Sequence, residues 1–171
     1  RGANLYTPSP QGQMDVLIAG SKVIDFRTEI KLESNTEVKI IDGRGNILVP
    51  GFVDSLVHIT GGGGEAGFTS RTPEMNLTDA YDALVLIVSD ITTVIAALGT
   101  DSSSRTLTNL VAKAKGLKEL GLNVFCHTGS YHLPAKTLTG SITNDLMYID
   151  EFIGVGEVAI SDHRSSQPTV Q

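Results

Sequence analysis

The chain has 171 residues, 40% of them hydrophobic and 19% charged, with a net charge of −6, which is ordinary globular composition. No basic run appears, arguing against a nucleic-acid partner, and "ALVLIVSDITTVIAAL" (83–98) is too short and too interrupted to span a bilayer. The single cysteine, Cys126, excludes an internal disulfide, and no signal-peptide pattern opens the chain; both features predict a reducing, cytoplasmic setting.

In chain order, the first fifty residues read as β structure. "MDVLIAGSKVIDF" (14–26) places two apolar runs around Gly20-Ser21, a hairpin pattern. "TEVKIIDGRGNILVPGF" repeats that plan, with Asp42-Gly43 and Gly45-Asn46 as turn chemistry. "ILVPGFVDSLVH" is then a strand with few polar residues, as expected when both faces are covered. "NLTDAYDALVLIVSD" (76–90) predicts a helix capped by Asn76 or Thr78, and "ITTVIAAL" (91–98) a β-branched strand. "TLTNLVAKAKGLKEL" puts Leu107, Leu110, Val111, Ala114, Leu117 and Leu120 on one helical stripe, with Gly121 as terminator. "NVFCHTGS" predicts a third strand, "NDLMYIDEFI" a helix stopped by Gly154, and "EVAISDH" a fourth strand.

A βαβ alternation with a repeat of roughly 30 to 40 residues predicts an α/β fold with a parallel sheet. The loops "HITGGGGEAG", "GTDSSSR", "TGSYHLP" and "SDHRSSQ" follow the carboxyl ends of the strands, where parallel sheets and barrels bind ligands. Four βα units make half a barrel and leave sheet edges unpaired. That predicts a portion of a larger protein and a tendency to self-associate.

Within these loops, His58 ends the first strand of the sheet, and an imidazole there is either a ligand or a structural group. The four glycines at 61–64 permit close backbone approach to a ligand or a merely flexible loop. Glu157 is expected to begin the fourth strand; a carboxylate in a buried strand needs a partner, whereas an exposed strand end does not. Tyr131 and His132 offer hydrogen-bonding groups, Arg164 suits a carboxylate, and Cys126 reads as inert core.

The string "DVLIAGSKVID…IIDGRGNILVPGFVD…H" resembles the amidohydrolase superfamily, and "GGGGEAG", "RTPE", "LGTDS", "TGSYH" and "AISDHRS" follow in an order similar to the isoaspartyl dipeptidases. The resemblance covers nearly the whole chain. It implies a partial (β/α)₈ TIM-like barrel of about four βα units (51–171), preceded by part of a small β-sandwich domain (1–50). It implies a binuclear zinc centre whose metal-activated hydroxide hydrolyses β-aspartyl dipeptides, and homo-oligomers at full length. By matched position, His58 is a metal ligand, Glu157 stands where a carbamylated lysine bridges the metals, and Tyr131 polarises the scissile carbonyl. Glu65, Gly63, Thr100 and Arg164 contact the substrate. Leu56 departs from the pattern by standing where the first histidine of His-x-His belongs, and the remaining metal ligands fall beyond Gln171. The resemblance therefore implies a zinc site incomplete or absent in this chain, and no catalysis by it alone. A non-catalytic binding relative, an amidohydrolase acting on another amide, and an anion-binding module remain the alternatives.

Overall fold

The alternating run at 14–26 forms the hairpin its turn predicts. In the computed structural model, which describes residues 1–33, 35–61 and 89–168, strand β2 (Pro10–Ala19) pairs antiparallel with β3 (Lys22–Arg27), and Ala19 faces Lys22 across Gly20-Ser21. β1 (Ala3–Tyr6) flanks β2, and the two-residue β4 (Ile47–Leu48) lies parallel to β1, giving the order β3-β2-β1-β4. Asp15, nearly buried, accepts the amides of Gly2 at 3.0 Å and Ile30 at 3.1 Å. These elements make up a unit spanning Arg1–Pro50.

The second hairpin expected over 36–52 does not form. The turn itself is present, with the Asn46 amide donating to the Gly43 carbonyl at 2.9 Å. However, the start of the chain takes the backbone groups a hairpin would use. The Arg1 amine donates to the Ile41 carbonyl at 2.7 Å, and the Gly43 amide donates to the Arg1 carbonyl at 2.8 Å. A cavity of about 580 Å³, lined by Val16, Ile18, Ile30, Val38, Ile40 and Leu48 among others, lies within this unit.

The second unit, Gly51–Gln171, carries a parallel sheet in the order β5-β6-β7-β8. Its strands are β5 (Phe52–Val57), β6 (Ile91–Ala96), β7 (Asn123–Thr128) and β8 (Phe152–Val155). Helix α1 (Leu107–Glu119) starts at Thr106, whose hydroxyl accepts the Asn109 amide. Its stripe Leu107, Leu110, Val111, Ala114 and Leu117 packs against Val94, Ala96, Val124, Cys126 and Phe152, each leucine contributing roughly 2 kcal/mol by burial. The helix closes in a Schellman motif: Gly121, at φ +95°, donates to the Lys118 carbonyl, and Leu122 donates to that of Leu117. Leu120, expected on the buried stripe, is instead the cap residue and is exposed.

Two further expectations are corrected. β5 is not covered on both faces, since Phe52, Val53 and Leu56 are about half exposed; β5 is the edge of this sheet, with β6 beside it. Most of the helix expected over 76–90 lies outside the described residues, as do Gly63 and Glu65. The fourth strand also sits earlier than expected. Helix α2 (Ile142–Tyr148) ends at Ile149, which is extended, and "FIGV" forms β8. Burial decides this: Phe152 enters the core, and the Cys126 amide donates to the Glu151 carbonyl at 2.7 Å. In "EVAIS", by contrast, Val158 and Ile160 are exposed. Gly154 lies within β8 rather than terminating a helix, and Glu157 follows the strand rather than beginning it.

Candidate active site

Because Glu157 leaves β8 at its carboxyl end, it stands among the loops that follow the parallel strands. His58 leaves β5 at the same end. These strands are the two edges of the sheet, so in a flat sheet they would stand roughly 14 Å apart at 4.8 Å per strand. Nonetheless, His58 Nε2 lies 3.5 Å from Glu157 Oε2, with both side chains about three-quarters buried. The loops that leave the two edge strands therefore bring these side chains together.

The His58 ring is fixed from behind. Its Nδ1 stands 3.2 Å from the Ala97 carbonyl oxygen. A carbonyl only accepts, so Nδ1 carries the hydrogen. Nε2 then presents either a proton or a lone pair to the carboxylate. The first arrangement is an ion pair; the second suits a cation held between the two groups, the usual arrangement of a metal-bound histidine with a backbone partner. Spacing fits the second as well: two donors about 2.1 Å from a tetrahedral zinc stand about 3.4 Å apart. Among the described residues no group of three or more His, Cys, Asp or Glu forms a metal cluster. Leu56, two residues before His58, supplies no donor atom and is 49% exposed.

Segment 156–164 joins this pair to a second cluster. The Gly156 amide donates to the Thr128 carbonyl at 3.0 Å, and the Ala159 amide donates to that of Tyr131 at 3.1 Å. Tyr131 is buried, in the loop opened by Gly129, whose φ of +96° favours glycine. The same segment brings Asp162 and Arg164 against it. Arg164 donates to Asp162 Oδ1 from its amide at 2.8 Å and from Nε at 2.9 Å, and to Oδ2 from Nη2 at 3.0 Å. Its guanidinium lies 5.6 Å from the centre of the Tyr131 ring. Asp162 and Arg164 both act on the Tyr131 hydroxyl; burial first, then Asp162, pushes it above the ordinary tyrosine range, against the opposing effect of Arg164. The Arg164 side chain, chiefly, holds the Asp162 carboxyl well below the usual carboxylate range.

The Tyr131 loop is anchored at its base by Asp145. This fully buried carboxylate accepts the amides of Leu138 at 2.9 Å and Thr139 at 2.8 Å, and the hydroxyls of Thr139 and Thr128. On the neighbouring loop, Thr100 precedes Asp101, which accepts the Ser103 and Ser104 amides. The Lys136 ammonium donates to the Ser102 carbonyl, tying the loops after β6 and β7 together.

The structure thus gathers His58 with Glu157, and Tyr131 with Arg164. Thr100 sits in an adjoining loop. Cys126 is core, its thiol pushed up to about 12 by burial. Two residues not singled out by sequence reasoning belong to the site. Asp162 links Tyr131 to Arg164. The His127 ring packs on Gly154 and Gly156, where an added Cβ would stand 3.2 Å from ring atoms in each case. The signal for Asp162 is its Asp-x-Arg spacing; for His127 it is alternation, which places it opposite Cys126 on β7.

No family model matches the chain. It is 37% identical over 84 residues to dihydroorotases from two strains of Staphylococcus epidermidis, covering 41% of this chain and 20% of theirs. Among solved structures, the beta-aspartyl dipeptidase of Fervidobacterium islandicum AW-1 in complex with beta-Asp-Leu dipeptide is 49% identical, with a TM-score of 0.86, covering 99% of this chain and 42% of that one. A second structure of that enzyme is 47% identical, with a TM-score of 0.80, covering 99% of this chain and 44% of that one. The chain therefore spans less than half the length of these solved relatives. The fold is that of a partial TIM-like barrel together with a small sheet domain. Within that class, the chain corresponds to the N-terminal portion of an isoaspartyl (beta-aspartyl) dipeptidase.

Proposed function

We propose that this chain supplies one half of the active site of a zinc-dependent, cytoplasmic dipeptidase acting on β-aspartyl dipeptides. Residues 1–50 are the first part of its small β domain and 51–171 the first half of its barrel. The observation that carries this reading is the 3.5 Å approach of His58 Nε2 to Glu157 Oε2 from opposite edges of the sheet. In it, His58 and Glu157 hold the metal, and Glu157 provides directly the carboxylate that relatives make by carbamylating a lysine. When bound there, zinc supplies Lewis acidity and a more acidic water.

The protein's own groups do the rest. Hydrolysis bonds a water oxygen to the side-chain carbonyl carbon, breaks the C–N bond and sends a proton to the departing amine. Burial and Asp162 keep Tyr131 protonated, so its hydroxyl can donate to the carbonyl oxygen as negative charge develops. Arg164 receives a substrate carboxylate. Thr100, Glu65 and Gly63 complete the substrate contacts.

Leu56 favours a second reading, a relative that binds such peptides without cleaving them, because position 56 contributes no metal donor. One experiment separates the two. Residues 1–171 are joined to the C-terminal portion of the solved relative, and zinc content and β-Asp-Leu hydrolysis are measured. With Leu56, slow or absent turnover is expected; Leu56→His restores a His-x-His pair on one strand face and raises both readouts. A folded Leu56→His chimera with neither change leaves the binding reading in place of the enzyme.

A further inference from the structure

We propose that Asp162 is a positioning residue that makes Tyr131 and Arg164 one functional unit; this rests on the dipeptidase reading for its kinetic consequence, though not for its geometry. Asp162 takes two side-chain bonds and one amide bond from Arg164, at 2.8 to 3.0 Å, and the guanidinium so held lies 5.6 Å from the centre of the Tyr131 ring. A guanidinium held at two nitrogens has its plane fixed, so the direction in which it meets a carboxylate is fixed too. A tyrosine hydroxyl has one hydrogen to donate. Asp162 therefore acts on both partners: it orients the cation meant for the substrate carboxylate, and its negative charge beside the phenol opposes loss of the phenolic proton. The loop around it is built for this role. The Leu133 amide donates to Ser166 Oγ at 3.1 Å, and the Ala159 amide to the Tyr131 carbonyl, so the two loops move together.

Among the described residues, the charged and titratable groups facing Tyr131 are Asp162, Arg164 and His132, whose ring meets it edge-on at 5.9 Å. His163 stands beside Asp162, with Nδ1 3.6 Å from Oδ1. Asp162 raises the ionisation of Tyr131 and Arg164 lowers it. Removing the carboxylate leaves the lowering partner in place.

The test is an ultraviolet titration of Tyr131 in this chain, identified by difference against Tyr131→Phe. In Asp162→Asn the phenol should ionise at lower pH than in the unchanged protein, and Asp162→Glu, which keeps the charge, should recover part of the difference. In the chimera, Asp162→Asn should lower kcat for β-Asp-Leu by roughly tenfold to hundredfold and also raise KM. In a Tyr131→Phe background its effect on kcat should be smaller than in the unchanged chimera, because part of that effect passes through the Tyr131 hydroxyl. An unmoved Tyr131 titration in folded Asp162→Asn, or fully independent kcat losses, overturns the proposal. A titration that moves while no variant of the chimera cleaves the dipeptide upholds the positioning unit and removes the dipeptidase reading instead.

Discussion

Two Asp-x-Arg triplets fold into the same clasp in different regions of the molecule. In Asp42-Gly43-Arg44, the arginine amide, Nε and Nη2 reach the aspartate at 3.1, 2.9 and 2.7 Å. In Asp162-His163-Arg164 the corresponding distances are 2.8, 2.9 and 3.0 Å. The clasp forms where the chain turns: an aspartate folds back on the amide two residues ahead, and the guanidinium completes a fork, whereas Asp25-Phe26-Arg27, held extended in β3, makes only a side-chain ion pair. What surrounds the clasps differs. The side chains of Asp42 and Arg44 are 59% and 76% exposed, whereas those of Asp162 and Arg164 are 29% and 15% exposed beneath Tyr131. Exposed pairs of this kind contribute little to stability. Only at the second clasp does a buried loop bring a tyrosine ring to within 5.6 Å of the guanidinium.

The largest effect should come from removing what holds that loop in place. Asp145→Ala deletes the acceptor of four hydrogen bonds in a site with no solvent exposure, so unfolding of the second unit in urea should weaken by roughly 3 to 4 kcal/mol. Burial raises the Asp145 carboxyl, but the bonds from Thr128, Thr139 and Leu138 together outweigh it and leave it below its ordinary value. A depressed carboxylate stabilises fully above its unfolded value of about 3.9 and loses that contribution as pH falls through its lower folded value. Acid unfolding below about pH 4 should therefore be less steep in Asp145→Asn than in the unchanged chain.

Breaking the buried clasp directly should act on chemistry rather than on folding. Asp162→Asn should lower the Tyr131 titration and reduce turnover in the chimera about tenfold or more, while the urea midpoint moves little. A smaller change acts from beneath the same segment. Gly154→Ala places a Cβ 3.2 Å from His127 Cδ2, which should cost about 1 kcal/mol as ring and strand adjust. The least effect should come from Asp42→Asn. With its clasp open to water, neither the urea midpoint nor the Tyr131 titration should change measurably. An equal response to Asp42→Asn and Asp162→Asn would erase the distinction between the two regions.

Much of the architecture could be read from the sequence because local rules decided it. The turn at Gly20-Ser21, the stripe from Leu107 to Leu117 and the Gly121 terminator are local signals, and all three appear in the structure. The failures came where distant residues compete. Arg1 takes the backbone groups that the second hairpin needs. Phe152 finds a place in the core beside Cys126, so a segment with helical spacing becomes a strand and "EVAIS" becomes a loop. That shift moves Glu157 from the start of a strand to beyond its end. His58 and Glu157 are 99 positions apart in sequence, and no pattern between them encodes their approach; only the parallel order of strands suggests it. Asp162 was not singled out in the sequence, because its place near Tyr131 depends on two loops brought together by the Ala159 amide and the Tyr131 carbonyl.

The central claim is that His58 and Glu157 form part of a metal site that lacks, within this chain, the donor expected at position 56. Zinc titration calorimetry on this chain, on Glu157→Gln and on Leu56→His tests it most directly. Structural zinc sites of four ligands bind with about 10 to 16 kcal/mol, so one ligand is worth roughly 3 kcal/mol, or about a hundredfold in affinity. The account predicts weak binding by the unchanged chain, roughly hundredfold tighter binding by Leu56→His, and loss of binding in Glu157→Gln. Equal zinc affinity in all three folded proteins would contradict it.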